Sequence, residues 1–419
     1  MIDIDKLTAT EILDSRSKPT LRVTLVLGDG SCVHAGVPSG ASTGSREALE
    51  LRDGDPDRFS GLGVQRAAMS VEGEIADRLA GRAWSSQREV DEALIELDGT
   101  ENKGRLGSNA IVGVSMAVAR AFAEVEPRPL YETLQPVDVQ PRLPVPHFNV
   151  LNGGSHAQND LAFQEFMIAP LGAPSIREAV RAGAEIYARL RSLLRERGMS
   201  TGLGDEGGFA PEIAEPEEVL ALLVEAISTS GYEPGRTGVA IALDPAASEF
   251  RTKDGIYEVG RQQLTSSEMV ERYRLMVDRF PVWSIEDGLG EDDRDGWIEL
   301  TRELGERIQL VGDDNFVTNP AIIREAIGAG IANAALIKLN QVGTVTETLE
   351  AMAVCRAAGY AQMVSHRSGE TTDDFIADLA VATGCGQLKS GAPARGERVA
   401  KYNRLIEIEL GSDLPFGLG

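Results

Sequence analysis

Two periods organise the apolar residues of this chain. Between Val239 and Lys338, short runs of aliphatic and β-branched residues each stop at a charge. They are VAIALD ending at Asp244, VWSIED carrying Glu286, IQLVGDD carrying Asp313 and AALIKL carrying Lys338. Stretches of helical period separate them, which is the pattern of buried parallel strands alternating with helices. The beat continues through QMVSH at His366 and GQLK at Lys389, so that Asp313, Lys338, His366 and Lys389 stand 25, 28 and 23 residues apart, about one strand and one helix each. This predicts an α/β fold of the TIM-like, eight-stranded α/β barrel type, with the strand-end charges converging at one mouth.

The first third reads differently. Alternation over Leu21–Leu27, a turn at Gly28-Asp29-Gly30 and an earlier run over Ala9–Leu13 predict an antiparallel sheet. Helical period covers 64–81, 86–97 and Ser108–Val125. The proline-dense stretch 135–146 marks a boundary near residue 138, giving an N-terminal α+β domain over 1–138 and a catalytic barrel over 139–419. Within the barrel, 175–197 is an amphipathic helix, Thr265-Ser-Ser-Glu268 is a capping box, and Asn319-Pro320 and Thr344–Glu347 open further helices.

Charge and cysteine content narrow the function classes. A formal net charge of -24 over 419 residues argues against nucleic acid or an anionic membrane as main partner. No stretch has the length of a membrane span, and the N-terminus lacks the basic start and apolar run of a signal peptide. Three cysteines, Cys32, Cys355 and Cys385, without metal-type spacing, read as reduced thiols in a cytoplasmic setting.

Three carboxylates at one mouth repel one another unless a cation joins them, and oxygen ligands select a hard ion such as Mg2+. Each acid can equally cap the helix that follows it. The doubled acids Glu286-Asp287 and Asp313-Asp314 leave one carboxylate to cap and one to point inward. Lys338, inside an apolar run, is costly to bury without a partner. Near a divalent cation its pKa is expected to fall, freeing the amine as a base. The small-residue segment Val37–Gly44 is either a plain connection or a lid that closes on an anion or a metal. His156 and Glu165 are polar residues in apolar surroundings, structural or functional. Gly202–Gly207 matches G-x-G-x-x-G, but no strand precedes it, so a dinucleotide reading is rejected and Asp205 and Glu206 are placed facing the pocket. Ser365-His366-Arg367-Ser368 suits a phosphate or a carboxylate, unless Arg367 only pairs with a barrel acid.

The motifs ILDSR at 12–16, VPSGASTGSREALELRDGD at 37–55, NVLNGGSHA at 149–157, QEFMIAP at 164–170, GDEGGFAP at 204–211, SIEDGL at 284–289, SHRSGET at 365–371 and KSGAPARGERVAKYN at 389–403 together resemble the enolase family over nearly the whole chain. The resemblance implies reversible dehydration of 2-phospho-D-glycerate to phosphoenolpyruvate in glycolysis, with two Mg2+ per active site. It implies Asp244, Glu286 and Asp313 as ligands of the tighter ion and Ser42 as a contact of the second. Lys338 would be the base at C2 and Glu206 the general acid, with Glu165 and His156 close by. His366, Arg367, Ser368 and Lys389 would hold the substrate. A homodimer or octamer is implied, in the cytoplasm, with a cell-surface or secreted fraction by family analogy. Ser17-Lys18, Pro245, Arg294 and Asn315 depart from the common pattern. They carry an alternative, a paralogue that dehydrates a phosphonate analogue in secondary metabolism, similar to carboxyphosphonoenolpyruvate synthase.

Overall fold

A computed structural model describes residues 1–41 and 44–418. The chain opens with β1 (Ile2–Leu13), β2 (Pro19–Leu27), β3 (Cys32–Gly36) and, later, β4 (Arg82–Trp84), which form an antiparallel sheet in the order β3-β2-β1-β4. Leu21, Val23, Leu25 and Leu27 all point to one buried face, which the helix Ser108–Val125 covers. β1 begins seven residues before the run predicted for it. A register break between Ile4 and Lys6 puts the buried Ile2 and Ile4 out of step with the later residues, so simple alternation does not reveal the start. The predicted helix over 64–81 is also interrupted: Gly73, at φ -99° and ψ -107°, separates Gln65–Ser70 from Ala76–Leu79.

The remaining strands are β5 (Val145–Asn152), β6 (Glu165–Ala169), β7 (Ala240–Asp244), the small ribbon β8 (Tyr257–Val259) and β9 (Gln262–Leu264), β10 (Val282–Glu286), β11 (Gln309–Gly312), β12 (Ala334–Ile337), β13 (Ala361–Ser365) and β14 (Gln387–Lys389). Eight of them close a barrel in the order β10-β11-β12-β13-β14-β5-β6-β7. All barrel neighbours run parallel except at β6, which is antiparallel to both β5 and β7. The alternation of strand and helix in the second half gives no sign of that reversal, because a buried run reads the same in either direction.

Local signals set the helix ends. Thr265 and Glu268 close the capping box ahead of Ser266–Arg279. The Asn319 side chain accepts from the backbone N–H groups of Ala321 and Ile322. Ser175 caps Ile176–Glu196. That helix lies on β5 so closely that a methyl group at Gly183 would run into the Phe148 ring. Gly183→Ala is therefore expected to lower the unfolding free energy by about 1–3 kcal/mol, read by denaturant titration.

The N-terminal domain grips the segment that follows β12. Lys103 pairs with Glu347 at 2.8 Å, and Ser115 Oγ accepts from the Val345 N–H at 2.9 Å. Buried Asp91 accepts from the N–H of Thr346 at 2.9 Å and from its hydroxyl at 2.6 Å. Ser115 and Asp91 thereby satisfy the first N–H groups of the helix Val345–Ala357. The loop after the Lys338 strand is thus held from outside the barrel.

Candidate active site

Strand direction decides who reaches the mouth. Asp244, Glu286 and Lys389 are the last residues of β7, β10 and β14, while Asp313 and Lys338 follow β11 and β12 and His366 follows β13. Glu165 is the first residue of β6, and the reversed direction brings it to the same end, in register with Asp244 on one side and Asn152 on the other. The glycine loop 202–208 carries Glu206. A side chain at Gly204 or Gly208 would strike Asn152 or the backbone of β5 and its following loop, so these glycines let the loop press against the barrel end. His156 sits in the short turn Gly154–His156 after β5. All are buried.

The charges are arranged as linked pairs. The Lys389 ammonium lies 2.8 Å from Asp244 Oδ2, 2.8 Å from Glu286 Oε1 and 3.2 Å from Glu165 Oε1. Lys338 Nζ meets Asp313 Oδ2, whose other oxygen accepts from Gln341 Nε2 at 2.8 Å. On Glu206, Oε2 accepts from Asn149 Nδ2 at 3.0 Å and lies 3.1 Å from His366 Nε2. Oε1 is 3.8 Å from His156 Nε2. Arg367 donates to both oxygens of Glu47, at 2.9 and 3.1 Å, and to Asn340 Oδ1 at 2.8 Å. Glu47, an acid of the N-terminal domain, is thus one of its ion-pair partners. Ser368 Oγ accepts from Arg16 Nη1 at 3.1 Å.

Burial and charge split the titrating groups. Burial and then the facing carboxylate of Glu206 push Glu165 well up. Burial and then Asp244 do the same to Glu286. Burial raises Glu206, and charged imidazoles at His366 and His156 would lower it, but burial disfavours the charged form of both rings. Burial pushes His366 down to about 3, so its ring is neutral at ordinary pH. Burial also works to depress Lys338, but Asp313 outweighs it and the net shift is upward. The expected fall in the Lys338 pKa therefore does not hold while Asp313 is its counter-ion.

The doubled acids behave differently from the expectation that one of each caps the helix after its own strand. Asp287, at φ +41°, accepts the backbone N–H groups of Asp313 at 2.8 Å and Asp314 at 2.9 Å, and so braces the end of the neighbouring strand. Asp314 is pushed up to about 8, by burial first and Asp313 second. Ser42 lies outside the described residues, as does Thr43 of the candidate lid. Asn149, Asn340, Gln341, Glu47 and Arg398 at this site were not singled out from sequence. The one available signal is position, since Asn340 and Gln341 stand just past Leu339, the residue after Lys338.

A hard cation fits this donor set. Asp244, Glu286 and Asp313 offer only oxygens, and Glu286 Oε2 and Glu165 Oε2 are buried carboxylate oxygens with no donor among the described residues. Among the described residues, tight groups of ligand atoms are made by Asp287, Asp313 and Asp314 and by His156, Glu165 and Glu206. Asp244, Glu286 and Asp313 are spread wider, each drawn to a lysine ammonium.

Fold and mouth together define a barrel enzyme that gathers acids and lysines around a small anion and a hard cation. Comparison with known families is consistent with this. The family model "Enolase, N-terminal domain" matches residues 4–134, and "Enolase, C-terminal TIM barrel domain" matches 140–416. The chain is 55% identical over 416 residues to the enolase of Rubrobacter xylanophilus, covering 98% of this chain and 95% of that one. It is 54% identical over 409 residues to the enolase of Acidothermus cellulolyticus, covering 98% and 94%. The chain belongs to the enolase family.

Proposed function

We infer that the residues at the barrel mouth divide the enolase reaction among them. That reaction is the Mg2+-dependent, reversible loss of water from 2-phospho-D-glycerate to phosphoenolpyruvate, and the chain is a carbon-oxygen lyase of the phosphopyruvate hydratase type. Lys338 takes the C2 proton, and Glu206 gives a proton to the departing C3 hydroxyl. Glu165 and His156 hold that hydroxyl and the proton network around it. Lys389 offsets the charge that builds on the substrate carboxylate. Arg367, Ser368 and His366 receive the phosphate side of the substrate. Mg2+ bound by Asp244, Glu286 and Asp313, with a second ion contacting Ser42, would supply the positive charge that makes a proton beside a carboxylate removable.

The observation that carries this reading is the placement of Lys338 and Lys389 among five buried carboxylates at one barrel mouth. Relatives named enolase at 54 and 55% identity over nearly the full chain do not favour the phosphonate paralogue. Turnover of 2-phosphoglycerate with Mg2+, followed by the absorbance of phosphoenolpyruvate, is the test. Chelation is expected to cut the rate by roughly a thousandfold or more and added Mg2+ to restore it. A rate untouched by chelation would sink the assignment.

The domain boundary near residue 138, a cytoplasmic setting and a homo-oligomer complete the proposal. The three cysteines are free, and no helix among the described residues is long and apolar enough to cross a membrane. Exposed Leu13, Phe59 and Leu62 give the N-terminal domain apolar surface that a second copy would cover.

A further inference from the structure

The His366 ring has a different partner at each nitrogen. Nδ1 lies 2.6 Å from Arg398 Nη1. Nε2 lies 3.1 Å from Glu206 Oε2, off the axis of a straight hydrogen bond. A guanidinium has only N–H groups and keeps its proton in proteins, so Nδ1 is the acceptor and the ring hydrogen sits on Nε2.

Arg398 is fully buried and anchored from several sides. Nη1 donates to Arg367 O at 2.6 Å, while Nη2 donates to Ser368 O at 2.6 Å, Asp205 O at 3.2 Å and Ser15 Oγ at 3.2 Å. One side chain from the first turn of Gly396–Leu410 therefore ties the phosphate-side segment to the loop that carries Glu206. Oε2 of Glu206 faces two N–H groups, from Asn149 and His366. Among the described residues, the contact at Oε1 is His156, at 3.8 Å.

We propose that Arg398 is a positioning residue: by fixing His366 as the Nε2–H tautomer it directs donors onto Oε2 of Glu206 and leaves Oε1 to carry the transferred proton. This rests on Glu206 being the proton donor to the C3 hydroxyl. In the dehydration, the electron pair left at C2 forms the C2–C3 double bond. The C3–O bond breaks with its electrons going to oxygen, and the proton on Oε1 moves to that oxygen as water departs. The resulting charge on Glu206 is met at Oε2 by donors already in place. In the hydration direction Oε1 takes a proton from the attacking water. With the opposite tautomer a bare Nε2 would face Oε2 and draw the proton to the wrong oxygen.

The test is 15N spectroscopy of histidine-labelled protein at pH 7. Four histidines are present, and the His366 signal is identified by its loss in His366→Gln. A bare Nδ1 and a protonated Nε2 are expected; an Nδ1–H ring or a doubly protonated ring overturns the proposal. Arg398→Lys, which still presents N–H to Nδ1, should keep the tautomer. Arg398→Met should lose it and drop kcat about a hundredfold with KM little changed. Unchanged tautomer and kcat in Arg398→Met would also overturn it. Should Arg398→Met fail to fold, the unsubstituted protein's spectrum and Arg398→Lys decide. Full activity in Glu206→Gln would remove the proton-donor reading while leaving the tautomer result standing, so the two failures are distinct.

Discussion

Lys338→Ala is expected to abolish exchange of the C2 proton of 2-phosphoglycerate with solvent and to lower kcat by about 10⁴-fold, the upper range for loss of a general base. That corresponds to roughly 5 kcal/mol of barrier. The reasoning begins with the ion pair between Lys338 and Asp313. In this arrangement Asp313 holds the ammonium charged, and a charged ammonium cannot accept a proton from carbon. Burial acts in the opposite direction on the same group. Once Asp313 is committed to a cation, burial is left to lower the Lys338 pKa and the amine becomes a base. Removing the amine should therefore stop proton exchange while Mg2+ binding, followed by calorimetry, persists. Without metal, Asp313 in the variant keeps Gln341 as a donor but loses its counter-charge, so a reduced melting temperature that Mg2+ restores is expected as well. Proton exchange at the unsubstituted rate would end the assignment of Lys338 as base.

What could be read from sequence follows a physical boundary. A parallel barrel strand is a short apolar run, and a charge that ends it must leave the core. That is why Asp244, Glu286, Asp313, Lys338, His366 and Lys389 announce themselves. Direction leaves no such mark. Glu165 opens its strand, and only the antiparallel pairing of β6 brings it to the mouth. Partners far apart in the chain are equally silent. Arg398 lies in a helix whose pattern is that of an ordinary amphipathic segment, yet it reaches Ser15, Asp205, His366 and Ser368. Glu47 meets Arg367 across 320 residues. Sequence assigns one acid of each doubled pair to capping, because a cap is a local interaction, and the other to the mouth. Asp287 instead serves the next strand, a relation fixed by barrel closure alone.

Lys389→Met should unsettle the molecule more than any other single change at the mouth. The ammonium is 2% exposed and stands against Asp244, Glu286 and Glu165. A methionine fills similar space but carries no charge, so three buried carboxylates would face one another without a counter-ion. Stripping one partner from a buried ion pair costs about 3–5 kcal/mol, and that loss is expected in chelator at pH 7.5 by chemical denaturation. The pH dependence has a definite sign. Glu165 and Glu286 already have folded-state pKa values raised well above the ordinary carboxylate range, and loss of Lys389 raises them further. A raised folded pKa means that the fold binds the proton more tightly than the unfolded chain. Its contribution is thus present in full below the unfolded carboxylate pKa and is lost as pH rises through the folded value. The variant should accordingly regain stability relative to the parent as pH falls from 7.5 toward 5. Added Mg2+ should recover stability at pH 7.5 but leave kcat at least about a thousandfold low, because the substrate carboxylate has then lost a preorganised positive partner. Equal stability of variant and parent in chelator at pH 7.5 would show that Lys389 is not the charge that keeps these acids folded together.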